Sequence, residues 1–62
     1  MTYSEKMLEQ IQADQMPAAQ QSFTEALAKD SDDMIFSLAE ELYGMGFLHQ
    51  ARQAYLHLLA KY

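Results

Sequence analysis

The sequence predicts an all-α protein of two antiparallel helix hairpins, four helices in all, and three observations carry that prediction. The strong helix formers Ala, Leu, Glu, Gln, Met and Lys dominate the 62 residues, which contain two glycines and one proline. Those three punctuating residues, Pro17, Gly44 and Gly46, fall where a helix has to begin or end. Apolar residues recur at spacings of three and four, the mark of a one-sided helix, most clearly towards the C-terminus.

The first helix is expected over residues 3–13. Thr2 precedes it and Glu5 follows three positions later, the capping-box arrangement in which each side chain serves an otherwise unpartnered backbone N–H. The second is expected to run to about Lys29, with Pro17 in its first turn, where a missing N–H costs nothing and a fixed φ suits the helix. Asp30, Ser31, Asp32 and Asp33 then end one helix and start the next, placing negative charge at the favourable N-terminal pole. The third is expected over residues 33–43, until two glycines in Gly44-Met45-Gly46 weaken it and permit a left-handed C-terminal cap. The fourth, over residues 48–61, places Leu48, Ala51, Ala54, Tyr55, Leu58, Leu59 and Tyr62 on one stripe.

The two halves repeat. At a constant shift of 32 residues Tyr3 pairs with Ile35, Ile11 with Tyr43, Met16 with Leu48, Ala19 with Ala51, Phe23 with Tyr55, Ala26 with Leu58 and Leu27 with Leu59. The 62 residues therefore read as one domain, with hairpins over about 1–31 and 32–62. Ala19, Phe23, Leu38, Ala39, Ala51, Tyr55 and Leu58 are the expected core.

The second hairpin resembles a tetratricopeptide repeat, with Leu38-Ala39, Leu42-Tyr43, Gly46, Ala51 and Tyr55 in the slots of that family's small and large residues. In the first hairpin Ala19, Phe23, Ala26 and Leu27 match, but Lys6 and Gln10 occupy apolar slots and Asp14 replaces the turn glycine. A shift of one residue there makes Leu8 and Ile11 the packing residues. The resemblance implies stacking into a fragment of an α-solenoid. The chain stops at Tyr62, where the family's closing proline would come next, which gives the expectation of an N-terminal piece of a longer repeat protein.

Charge and composition exclude several function classes. Two basic residues face five acidic ones in residues 1–31, and two face four in residues 32–62, for a formal charge of −5. Nucleic acids and anionic membranes are bound by clustered Lys and Arg, and no such cluster exists. Apolar runs such as Leu58-Leu59-Ala60 are too short to cross a bilayer, and the N-terminus has no basic-then-apolar leader pattern. With no cysteine, the expectation is a cytoplasmic protein.

No catalytic, cofactor or metal constellation is legible. His49 and His57 lie eight residues apart without a carboxylate or thiol at ligand spacing, and read as partly exposed surface histidines. Glu40 and Glu41 are adjacent, so a helix points them about 100° apart. No serine has a neighbouring histidine, and neither glycine precedes a Lys-Ser or Lys-Thr pair. The five methionines read as core filling; the competing role, an adaptable binding surface, is open only to Met34 and Met45, which are placed for exposure.

The expectation is a non-enzymatic module that binds a protein or peptide. By the resemblance, Phe36, Glu40 and Tyr43 would face a groove from the third helix, and their spacing of four and three puts them on one face. The competing reading has Phe36 and Tyr43 covering the core. An acidic residue between two aromatics suits a peptide with aliphatic and basic residues. Some members of that family hold a peptide's terminal carboxylate with Lys and Arg along this face, but this third helix has no basic residue, so the resemblance does not extend to such a clamp. Two alternatives stand beside this: a structural capping segment, and a homodimer or small acidic regulator. For the homodimer, Ala54, Tyr55, Leu58, Leu59 and Tyr62 form a C-terminal stripe too wide for one partner helix, with Tyr55, Leu58, Leu59 and Tyr62 as the self-association residues.

Overall fold

The computed structural model describes residues 1–62, which form four helices and no strand: α1 (Tyr3–Gln12), α2 (Met16–Lys29), α3 (Asp32–Gly44) and α4 (Leu48–Leu59). The chain divides into two compact units, Met1–Asp30 and Ser31–Tyr62. Within them α1 packs on α2 and α3 packs on α4, so each unit is one hairpin.

Local chemistry sets the boundaries. The Thr2 hydroxyl accepts from the Glu5 N–H at 3.1 Å while the Glu5 carboxylate accepts from the Thr2 N–H at 3.0 Å, completing the capping box. The next two orphan donors of α1 are served from the far end of the hairpin. Asp30, the C-cap of α2, accepts from the N–H groups of Tyr3 and Ser4 at 3.3 and 2.8 Å and from the Ser4 hydroxyl at 2.6 Å. Pro17 sits in the first turn of α2, and Ser31 caps α3 by accepting from the Met34 N–H at 3.3 Å.

Both hairpins turn in the same way, 32 residues apart. In the second, the Gly46 N–H donates to the Tyr43 carbonyl at 3.1 Å and the Phe47 N–H to the Leu42 carbonyl at 2.9 Å. This Schellman pair satisfies the last carbonyls of a helix and needs a left-handed residue, supplied by Gly46 at φ 87°. In the first, Asp14 donates to Ile11 at 3.0 Å and Gln15 to Gln10 at 2.8 Å, with Asp14 itself at φ 59°. A residue with a side chain holds the strained position there.

The buried interiors differ in kind. Ile35, Leu38, Ala39 and Leu42 from α3 meet Ala51 and Ala54 from α4. In the first unit Met7, Ala19, Phe23 and Ala26 are buried together with Ser4 and Ser22. The face of α1 that turns inward is Ser4, Met7, Leu8 and Ile11, with the last two half-buried. That is the one-residue shift expected from Lys6 and Gln10, since a lysine cannot be left unpaired in an apolar interior. Gln10 is half-buried, and its amide oxygen accepts from the Ser22 hydroxyl at 2.5 Å.

Three expectations are corrected. Tyr55 and Leu58 are half-buried, not core, because Ala51 and Ala54 already occupy the line facing α3. Ala54, counted in the outward stripe, is fully buried. The last helix ends at Leu59, two residues early.

Candidate interaction surface

The outward side of the second hairpin carries apolar residues that the first hairpin does not. Because α3 buries positions 35, 38, 39 and 42, its opposite flank presents Phe36, Glu40 and Tyr43, all exposed, with Phe36 at 48% and Tyr43 at 64%. On α4 the buried line is Ala51 and Ala54, and Leu48, Leu56 and Leu59 face out, Leu59 at 67%. In the first unit the exposed large apolar residues are Met1 and Met16.

Tyr55 divides this surface into two hollows. Its ring meets Phe36 edge to face, with centroids 5.9 Å apart and planes at 66°. On one side Phe36, Tyr55, Leu58, Leu59 and Tyr62 enclose about 350 Å³. On the other, Tyr43, Leu48, Arg52, Tyr55 and Leu56 enclose about 250 Å³. The α3 trio and the C-terminal stripe, expected as separate sites, are therefore interleaved: Phe36 joins the stripe, and Tyr43 joins residues of early α4. Glu40 lines neither hollow.

Sequence reasoning passed over Arg52 and Leu56. The signal for Arg52 was present, since Leu48, Arg52, Tyr55, Leu59 and Tyr62 follow a spacing of four, three, four and three, the seam period of helices that pack on helices. The first hairpin has an open hollow of about 390 Å³, but most of the residues that line it are polar, among them Lys6, Gln10, Gln21, Thr24 and Glu25.

At the end of α4 a small polar cluster holds the C-terminal residues. The Asp32 carboxylate accepts from Lys61 at 2.8 Å and from the Tyr62 hydroxyl. Lys61, followed by Tyr62, holds the Asp32 carboxyl below the ordinary range, and Asp32 in turn raises Tyr62. His49 is exposed, whereas His57 is half-buried with its Nε2 sealed from solvent and without a partner, a more enclosed position than the sequence implied. No three His, Cys, Asp or Glu side chains gather closely enough to hold a metal ion. No helix is long and apolar enough to cross a membrane.

Comparison with family models, with curated proteins and with solved structures yields no match to this chain.

Proposed function

We propose that this chain is a non-enzymatic interaction module of tetratricopeptide type, cytoplasmic, which binds another polypeptide through the outward surface of its second hairpin. One observation carries the reading: Phe36, Tyr43, Leu48, Leu56, Leu59 and Tyr62 are all exposed on a hairpin of 32 residues, Ser31–Tyr62, whose counterpart exposes two methionines. A contiguous apolar surface in water is costly to maintain and commonly marks an interface. The 32-residue recurrence of the turn hydrogen bonds supports the repeat reading, because it extends the sequence periodicity to the backbone.

The test is capture from the source cell followed by reconstitution with the purified partner. Binding by the natural chain should be lost on Leu56→Glu with Leu59→Glu, exposed positions whose replacement should leave the helices intact by circular dichroism. Partners retained by the double variant at full affinity would exclude this surface, and measurable turnover of a substrate would overturn the non-enzymatic reading.

The four-three spacing of Leu48, Arg52, Tyr55, Leu59 and Tyr62 favours a second reading, self-association through α4 as a homodimer. Sedimentation at about 100 µM, far above the micromolar range in which a modest interface assembles, should then give dimers that Leu59→Glu with Tyr62→Glu converts to monomers.

A further inference from the structure

We infer that the two hollows flanking Tyr55 receive a single amphipathic α-helix of another protein, one that places a carboxylate against Arg52. This rests on the interaction surface proposed above and names the chemistry of its partner.

The geometry of the hollows argues for a helix. One gathers around the first turns of α4 and the other around its end, about six residues on, so their centres lie ~9 Å apart at 1.5 Å of rise per residue. Side chains one heptad apart on a partner helix are separated by ~10 Å, so two such anchors would enter both hollows at once. An extended strand would span that distance in about three residues and leave the Tyr55 ridge against its backbone. The ridge itself, Tyr55 braced edge-on by Phe36, suits the groove between successive turns of a helix.

Charge selects the partner's polar edge. Arg52 is the one charged residue lining either hollow. It is exposed and makes no ion pair, as is true of Lys6 in the first hairpin, whereas Lys29 and Lys61 are paired with Glu25 and Asp32. In a chain of net charge −5, a lone cation left free among Tyr43, Leu48 and Leu56 complements an acidic side chain. An arginine also offers a planar fork that a carboxylate meets with two hydrogen bonds. A second copy of this chain is the less suited occupant, because it brings a further −5 of charge and an identical Arg52 to the contact.

The test uses two synthetic helical peptides of about 18 residues, each with leucines at heptad and intermediate positions, differing in a Glu or a Lys flanking that stripe. The Glu peptide should bind the natural chain about three- to tenfold more tightly than the Lys peptide, and Arg52→Glu should reverse that order. Arg52→Gln should bring the two to equal affinity, and circular dichroism should show every variant folded. Binding of both peptides that is abolished by Leu56→Glu with Leu59→Glu but indifferent to charge at position 52 overturns the acidic-helix proposal and leaves the surface in place. Failure of both peptides to bind overturns the proposal as well. If captured partners also ignore Leu56→Glu with Leu59→Glu, the surface falls with it. Dimers that exclude the peptides assign the surface to a second copy and overturn it too.

Discussion

The two hairpins share a turn, hydrogen bond for hydrogen bond, yet hold their helices together by different means. In Met1–Asp30 the interior mixes Phe23 and Met7 with two buried serines, and the start of α1 is tied to the end of α2 by three hydrogen bonds to Asp30. In Ser31–Tyr62 the interior is Ile35, Leu38 and Leu42 against two alanines, and the aromatic residues of the repeat lie outside. Phe23 is buried, whereas Tyr55, its counterpart 32 residues on, is half-exposed between two hollows. The difference teaches that one backbone scheme can serve as a polar-fastened unit or as one that leaves an apolar face exposed.

Core truncation breaks the comparison most severely. Phe23→Ala removes the largest fully buried side chain of the first hairpin and should cost about 3–5 kcal/mol. Leu38→Ala in the second should cost about 2–5 kcal/mol. Either loss is a large share of the total for a chain of this size, so urea midpoints should fall steeply. An unchanged midpoint for Leu38→Ala would contradict its burial at 1% exposure.

The polar fastening is the next largest effect. Asp30→Ala leaves the Tyr3 and Ser4 donors without a protein acceptor, at about 1–3 kcal/mol, and should raise amide exchange at the start of α1 while sparing α3. Asp30→Asn, which keeps an acceptor oxygen but loses the charge, should fall between. Equal exchange in the natural chain and in Asp30→Ala would show that the carboxylate contributes nothing.

Which features the sequence revealed follows from how far apart their partners lie. Caps and turns are local, so Thr2 with Glu5, Pro17, Ser31 and Gly46 marked the helix boundaries to within two residues. Burial of Ser4 was not legible, since its acceptor Asp30 stands 26 residues away. Tyr55 and Leu58 were placed in the core because a stripe seven residues strong does not say which of its edges meets the neighbouring helix. The same ambiguity hid the surface. Phe36, Tyr43, Leu59 and Tyr62 were picked out individually, but their division around Tyr55 depends on how α3 and α4 meet.

The turn position sharpens the comparison at a smaller scale. Asp14 and Gly46 occupy equivalent left-handed sites, and there is free space around Gly46 for an added Cβ, so any penalty at that position comes from the backbone alone. Gly46→Ala should therefore cost about 1 kcal/mol, and Asp14→Gly should gain about 0.5 kcal/mol, read from thermal melts. Destabilisation by Asp14→Gly would mean that the aspartate side chain supports its own turn.

The smallest effect is the response to pH, where the hairpins differ in which group reports. Glu5 in the first is held below the ordinary carboxylate range by the Thr2 N–H, and Asp32 in the second by Lys61 and then Tyr62. A group whose folded pKa is depressed contributes stability above its unfolded value, about 4, and that contribution is lost as pH falls through the folded value. Raised groups work the other way. Lys29, lifted by Glu25, and Tyr62, lifted by Asp32, contribute below their unfolded values near 10, and the contribution is lost as pH rises through the folded ones. Glu5, Lys29 and Tyr62 are exposed and Asp32 is half-exposed, all screened by water, so the changes are slight and best followed group by group by NMR titration. Asp32→Asn should lower the Tyr62 midpoint towards that of an ordinary tyrosine and leave Glu5 and Lys29 unmoved. A Tyr62 midpoint that stays raised in Asp32→Asn would remove the Asp32 carboxylate as its cause, and with it the tie that holds Tyr62 at the rim of the larger hollow.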